Sequence, residues 1–163
     1  MKATSSGIDA VLSTLNETPG RLANLIMAFD DRHRYTPPGI KTWSVAEILA
    51  HLRACADIWT FSIYAMLTEE KPTLPDINER KWAKVTAYAR LPIGISLQAF
   101  TFQREGLLRV LKPLPKDGWE HSSMILEHEH TVFTQARRMA YHEQDHLEQI
   151  DDLLKQTNLQ KKN

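Results

Sequence analysis

The sequence predicts an all-α chain, a four-helix bundle with a long connection before the last helix. Three observations carry that reading. Leu outnumbers Val by 19 to 5, a usage that favours helix over strand. The eight prolines are clustered, at Pro37–Pro38, Pro72/Pro75, Pro92 and Pro113/Pro115, with only Pro19 inside an otherwise helical pattern. Proline lacks the backbone donor and clashes with the preceding turn, so these clusters separate helices. Between them, apolar residues recur at three- and four-residue spacing.

The first helix is expected near 6–30, with Ile8, Val11, Leu12, Leu15, Leu22, Leu25, Ile26 and Phe29 on one side. Thr18-Pro19 reads as a kink, or as an N-cap followed by proline at the first helical position. The second, near 44–68, has the clearest start. Ser44-Val45-Ala46-Glu47 is a capping box, and Trp43 and Ile48 flank it as a hydrophobic staple. Its inward stripe is Val45, Ile48, Leu49, Leu52, Ala56, Trp59 and Ile63. A shorter helix is expected over 78–90, with Trp82, Val85 and Ala89 inward. The third long helix, 93–111, carries Leu97, Phe100, Arg104, Leu107, Leu108 and Leu111 at helical spacing. A long connection, partly extended at 124–126, leads to the fourth, 131–154, with Val132, Phe133, Ala136, Met139, Ala140, Ile150 and Leu153 inward. The polar tail from Gln156 to Asn163 is expected to fray.

At 163 residues the length suits one domain spanning 1–163. Lys plus Arg and Asp plus Glu are each 20, so the formal net charge is zero. A dedicated nucleic-acid-binding domain usually carries a basic excess. No stretch approaches the roughly 20 apolar residues of a membrane span, and Met1 to Ser6 lacks the apolar core of a secretory signal. Cys55 is the single cysteine, so no internal disulfide forms. These features suit a cytoplasmic protein with neither nucleic acid nor membrane as partner.

Chemistry concentrates in the histidines. His142 and His146 are four apart on the last helix, so their rings project about 40° apart on one face. His142 follows Met139 by three and His146 precedes Ile150 by four, which turns that face inward. Two adjacent imidazoles on a buried stripe are costly as unpaired polar groups, and a shared divalent ion, zinc, nickel or iron, removes the cost. The string His142-Glu143-Gln144-Asp145-His146 also matches the zinc-protease pattern H-E-x-x-H. Its third ligand would lie downstream, where Asp152 sits with Gln149 in place of a turn-forming Gly. On a continuing helix Asp152 lies about 240° from His146. A third ligand therefore comes from upstream, and His51, beside Ile48 with Cys55 four residues on, is the best candidate. Spacing alone leaves two readings open: a three-imidazole metal site, or hydrogen-bonded core histidines. His128 and His130 form a competing cluster that reads better as solvated loop, as do His33 and His121. Glu143 reads either as a general base or as a solvated surface carboxylate, since it projects about 100° from His142. Cys55 reads as a small buried hydrophobe.

The runs Trp43-Ser44-Val45-Ala46-Glu47-Ile48-Leu49-Ala50-His51-Leu52 and His142-Glu143-Gln144-Asp145-His146-Leu147-Glu148-Gln149-Ile150 resemble the DinB-like superfamily pattern W-S-x-x-E-I-L-x-H-L, then H-x-x-x-H-L-x-Q-I. Arg104 and Trp119 also fall where members tend to have them. Glu129-His130-Thr131 departs from a Gly common before the last helix. The resemblance covers nearly the whole chain. It implies a bundle that binds a divalent metal through His51, His142 and His146 and acts on a small-molecule substrate. Characterised relatives include thiol-dependent transferases and isomerases that use bacillithiol, mycothiol or glutathione, so a low-molecular-weight thiol is an implied cosubstrate. A transferase would need cations for the thiol's carboxylates, and Arg53, Arg104 and Arg138 are available. The alternatives are a metal-dependent hydrolase, or a non-enzymatic stress-related binding protein, homodimeric through an outer helix face. Fold and site do not fix the reaction class.

Overall fold

The computed structural model describes residues 2–160. Helix α1 spans Ser5–Met27, α2 Asp31–Tyr35, α3 Val45–Thr68, α4 Glu79–Thr86, α5 Ile93–Leu111 and α6 Val132–Gln160. Two 3₁₀ turns, Tyr88–Arg90 and Lys116–Glu120, lie in the connections. A small sheet joins β1 (Thr73–Leu74), β2 (Ser122–Ile125) and β3 (His128–Thr131), with β1 parallel and β3 antiparallel to β2. Among the described residues no helix is long and apolar enough to cross a membrane.

The four long helices make the bundle. Helices α1 and α3 each pack against α5 and α6, so α1 stands diagonal to α3, and α5 to α6. The core divides into two apolar clusters along the bundle axis. One gathers Val11, Leu15, Trp59, Ile63, Leu107, Leu111, Val132 and Met139. The other gathers Leu22, Ile26, Ile48, Leu52, Ile93, Phe100, Leu147 and Ile150. This membership makes α1 and α6 run one way and α3 and α5 the other. Successive long helices are therefore either diagonal or parallel, and a short antiparallel loop joins no pair. Hence all three connections are long, and two of them hold α2 and α4.

Local chemistry explains the starts. Thr4 caps α1 by accepting from Gly7 N at 3.1 Å. The capping box is present: Ser44 Oγ accepts from Glu47 N, and Glu47 Oε2 accepts from Ser44 N at 2.7 Å. Asn78 Oδ1 caps α4 through Lys81 N.

Several expectations need correction. Helix α1 is continuous through Pro19 and ends at Met27, so Pro19 starts no new helix. It cannot donate to the Leu15 carbonyl, and the Arg104 guanidinium approaches that carbonyl instead, at 3.4 Å. Val85, expected inward, is 86% exposed, because α4 is a short cover lying on α3 rather than a fifth bundle helix. The extended region is a hairpin turning at Leu126, whose φ is +54°. His128 and His130 are thus strand residues. Helix α6 continues past Leu154 to Gln160, with Leu153 and Leu154 against the core. Of the tail expected to fray, 156–160 is helical and 161–163 lie outside the described residues.

Candidate metal centre

Between the two apolar clusters lies a polar layer. His51 enters it from α3, between Ile48 of one cluster and Cys55 of the other. His142 and His146 enter from α6, the antiparallel neighbour of α3. One donor nitrogen from each of these three half-buried histidines lies within 4.8 Å of the others. His51 Nε2 and His142 Nε2 are 3.2 Å apart. Two nitrogens bonded to one zinc ion at about 2.1 Å stand that far apart when the angle between the bonds is about 100°. The ring centroids are 5.1 Å apart for His51–His142 and His51–His146, and 4.5 Å for His142–His146.

The rings are neutral donors. Burial, and then the neighbouring His146, push His51 down to about 4 and His142 down to about 3. Burial also lowers His146. Gln149 Oε1 accepts from His146 Nδ1 at 2.8 Å, which leaves the Nε2 lone pair free. Buried His142 Nδ1 has no hydrogen-bond partner among the described residues, so hydrogen bonding leaves this ring only partly satisfied. Three neutral, converging imidazoles fit a divalent ion such as zinc, nickel or iron.

Cys55 Sγ lies 3.6 Å from His51 Nε2. Burial pushes its thiol well up, so it stays protonated, a packing residue as the sequence suggests. Trp43 lines the opening: its ring stacks on His146 at 6.1 Å and tilts against His51 at 5.0 Å. The cleft above the histidines measures about 620 Å³ and is also lined by Lys41, Thr42, Arg80, Gln149 and Gln156.

Glu143 is neither a base at the site nor a solvated carboxylate. It is 2% exposed and forms a two-pronged ion pair with Arg104, itself 2% exposed. The direction 100° from His142 is the bundle centre, where Arg104 of the diagonal helix α5 waits. The signal was present: a cation on the apolar stripe of α5 requires a buried anion. None of the three arginines offered for thiol carboxylates lines the cleft. Arg53 donates to Ser96 and lies over Tyr88, Arg104 is buried, and Arg138 pairs with Glu79 at 3.7 Å. The rim cations are Lys41 and Arg80 instead, which no sequence motif marked. His33 pairs with Asp30, and His121 Nδ1 lies 3.1 Å from the Met66 carbonyl; neither reaches the cluster. Asp152, 68% exposed, accepts from Lys155 outside the cleft.

Comparison with known proteins places the chain in a family and matches its fold. The DinB superfamily sequence model matches residues 14–150. Chains from Bacillus cereus (strain 03BB102) and Bacillus thuringiensis subsp. konkukian, each named "Putative metal-dependent hydrolase", are 24% identical over 156 residues. Those alignments cover 95% of this chain and 90% of each relative. The solved structure of YfiT from Bacillus subtilis, described as "a probable metal-dependent hydrolase with an unusual four-helix bundle topology", superposes with a TM-score of 0.85 at 18% identity. That match covers 96% of this chain and 91% of YfiT.

Proposed function

Since the chain belongs to the DinB superfamily, we propose that it is a metal-dependent enzyme whose divalent ion is held by His51, His142 and His146. The convergence of three neutral imidazoles below an open cleft carries this reading. When bound, the ion supplies Lewis acidity that stabilises negative charge on an attacking sulfur or oxygen. Gln149 holds the His146 tautomer, and Trp43 shields one flank of the donors from water. The two apolar clusters fix the three rings on rigid helices.

The chain's residues favour a thiol over water as nucleophile. No carboxylate lines the cleft among the described residues, and Glu143 is held by Arg104. No acidic side chain is therefore placed to take a proton from an attacking water. A free thiol already ionises near 8.5 and a neighbouring metal lowers it further, whereas water, at about 15.7 in bulk, depends wholly on the ion to fall toward about 7, so the thiol has less need of such a base. We therefore place thiol-dependent S-transfer, with a low-molecular-weight thiol as cosubstrate, first. Hydrolysis, which the names of the Bacillus relatives favour, comes second.

The test pairs two reactions on zinc-, nickel- and iron-loaded protein. One is loss of free thiol from bacillithiol, mycothiol or glutathione in the presence of 1-chloro-2,4-dinitrobenzene; the other is hydrolysis of p-nitrophenyl acetate. Metal-dependent thiol loss that disappears in His51→Ala supports S-transfer. Ester hydrolysis alone selects the second reading. Stoichiometric metal with neither reaction leaves a binding protein, and absence of metal binding removes the site reading altogether.

A further inference from the structure

The cleft above the histidines is unusual in its charge. Its eleven lining residues include two cations, Lys41 and Arg80, and no acid. The chain as a whole is neutral, with 20 basic and 20 acidic residues. A smaller hollow of about 300 Å³ adjoins the cleft, shares Trp43, His51 and Arg80 with it, and adds Lys84. Glu47 borders that hollow, but its carboxylate is taken up by the backbone and hydroxyl of Ser44. Glu79, next to Arg80, pairs with Arg138. Among the described residues no carboxylate pairs with Arg80 or Lys41.

Arg80 is also held in place. Its guanidinium lies 5.5 Å over the Trp43 ring, whose flanks rest on His51 and His146. The cation thus stands one indole away from the donor nitrogens. Helix α4, which carries it, is fastened to the bundle through Asp57. That carboxylate accepts from Trp82 Nε1 at 2.9 Å, from Tyr88 Oη at 2.8 Å and from Gln103 Nε2 at 2.8 Å. Lys41 comes from the loop before α3, in the left-handed region at φ +62°.

We infer that the cleft selects a small anionic substrate, whose carboxylate or phosphate is gripped by Arg80 and Lys41 while its reacting atom lies over the three imidazoles. This rests on the metal reading above and adds a specificity to it. A divalent ion on neutral imidazoles adds two positive charges to a cleft with no acid to offset them, so an anion balances the charge. Arginine binds carboxylate and phosphate through paired N–H donors, and lysine adds a mobile point charge.

The test uses the full chain with succinate and inorganic phosphate as anionic probes and succinamide as the uncharged control. Calorimetric titration of the zinc-loaded protein should show succinate or phosphate binding and no succinamide binding. Arg80→Gln should weaken the anion roughly ten- to a hundredfold with zinc stoichiometry unchanged. Lys41→Gln should weaken it less, and Arg80→Lys should recover part of the loss. Whichever probe binds more tightly identifies the anionic group. A second arm needs no metal: in the metal-free protein, succinate should shift the Trp43 indole N–H resonance, and Arg80→Gln should abolish that shift. Equal binding of succinate and succinamide, or unchanged anion binding in both glutamine variants, overturns the proposal. Failure of zinc to bind, with the Trp43 shift intact, removes the metal reading and leaves the anion site standing.

Discussion

Replacing Glu143 with glutamine distinguishes a structural carboxylate from a catalytic one. Glu143 and Arg104 are each 2% exposed, so neither charge reaches water. Once the carboxylate is neutral, the guanidinium keeps the Leu15 carbonyl at 3.4 Å and the face of Phe100 at 5.2 Å, with no counter-charge. Breaking a buried pair from one side costs about 3–5 kcal/mol. At about 2–4 °C per kcal/mol for a chain of this size, the melting midpoint should fall by roughly 6–20 °C. The assay is thermal and urea unfolding of metal-stripped protein, so that metal linkage does not enter. Calorimetric zinc titration should show the same stoichiometry as wild type. Removing both charges, as Arg104→Met with Glu143→Leu, should recover part of the loss. It leaves the Leu15 carbonyl, which Pro19 already deprives of its helical donor, short of a partner at a cost of about 1–3 kcal/mol. If Glu143→Gln melts within about 1 kcal/mol of wild type while activity disappears, the carboxylate is catalytic and the reasoning fails.

Each of His51→Ala, His142→Ala and His146→Ala should lose most bound zinc and, with it, the metal-dependent rise in melting temperature, about 2.7 kcal/mol for wild type at a hundredfold excess over Kd; a variant that keeps full stoichiometric zinc removes that histidine from the ligand set. Asp152→Ala should leave metal content unchanged, because its carboxylate faces solvent and Lys155; metal loss there would reinstate the protease-like ligand set. At pH 6.0, zinc binding to three ordinary imidazoles would release about 2.3 protons, whereas rings pushed down to about 4 and about 3, with His146 also lowered, should release far fewer; calorimetry in buffers of different ionisation enthalpy reads the number. Because these folded values lie below the unfolded value of about 6.5, the unfolded chain binds more protons over that interval. Metal-free protein should therefore lose stability as pH falls from about 6.5 toward 4 and level off below the folded values; a flat profile there contradicts the burial of the rings.

Local sequence determined what depends on neighbours in the chain. The capping box at Ser44 and Glu47, the proline clusters and the spacing of His142 and His146 are interactions within one or two turns, and each reads directly from residue order. Only the tertiary structure decided what lies across the bundle. That His51 meets the His pair from the facing helix depends on α3 and α6 being antiparallel neighbours. That Glu143 is buried depends on Arg104 arriving from the diagonal helix, a contact 39 residues away in sequence. Pro19 reads as a kink or a helix start because its cost is local, while the group that compensates for it, the Arg104 guanidinium at the Leu15 carbonyl, comes from α5. The rim cations were hidden for the same reason. Arg80 sits on an α4 whose apolar pattern points nowhere useful, since the Trp82 indole donating to Asp57 of α3, rather than a buried stripe, fixes where that helix lies. Periodicity reports which side of a helix seeks the core, but not which distant side chain will be waiting there.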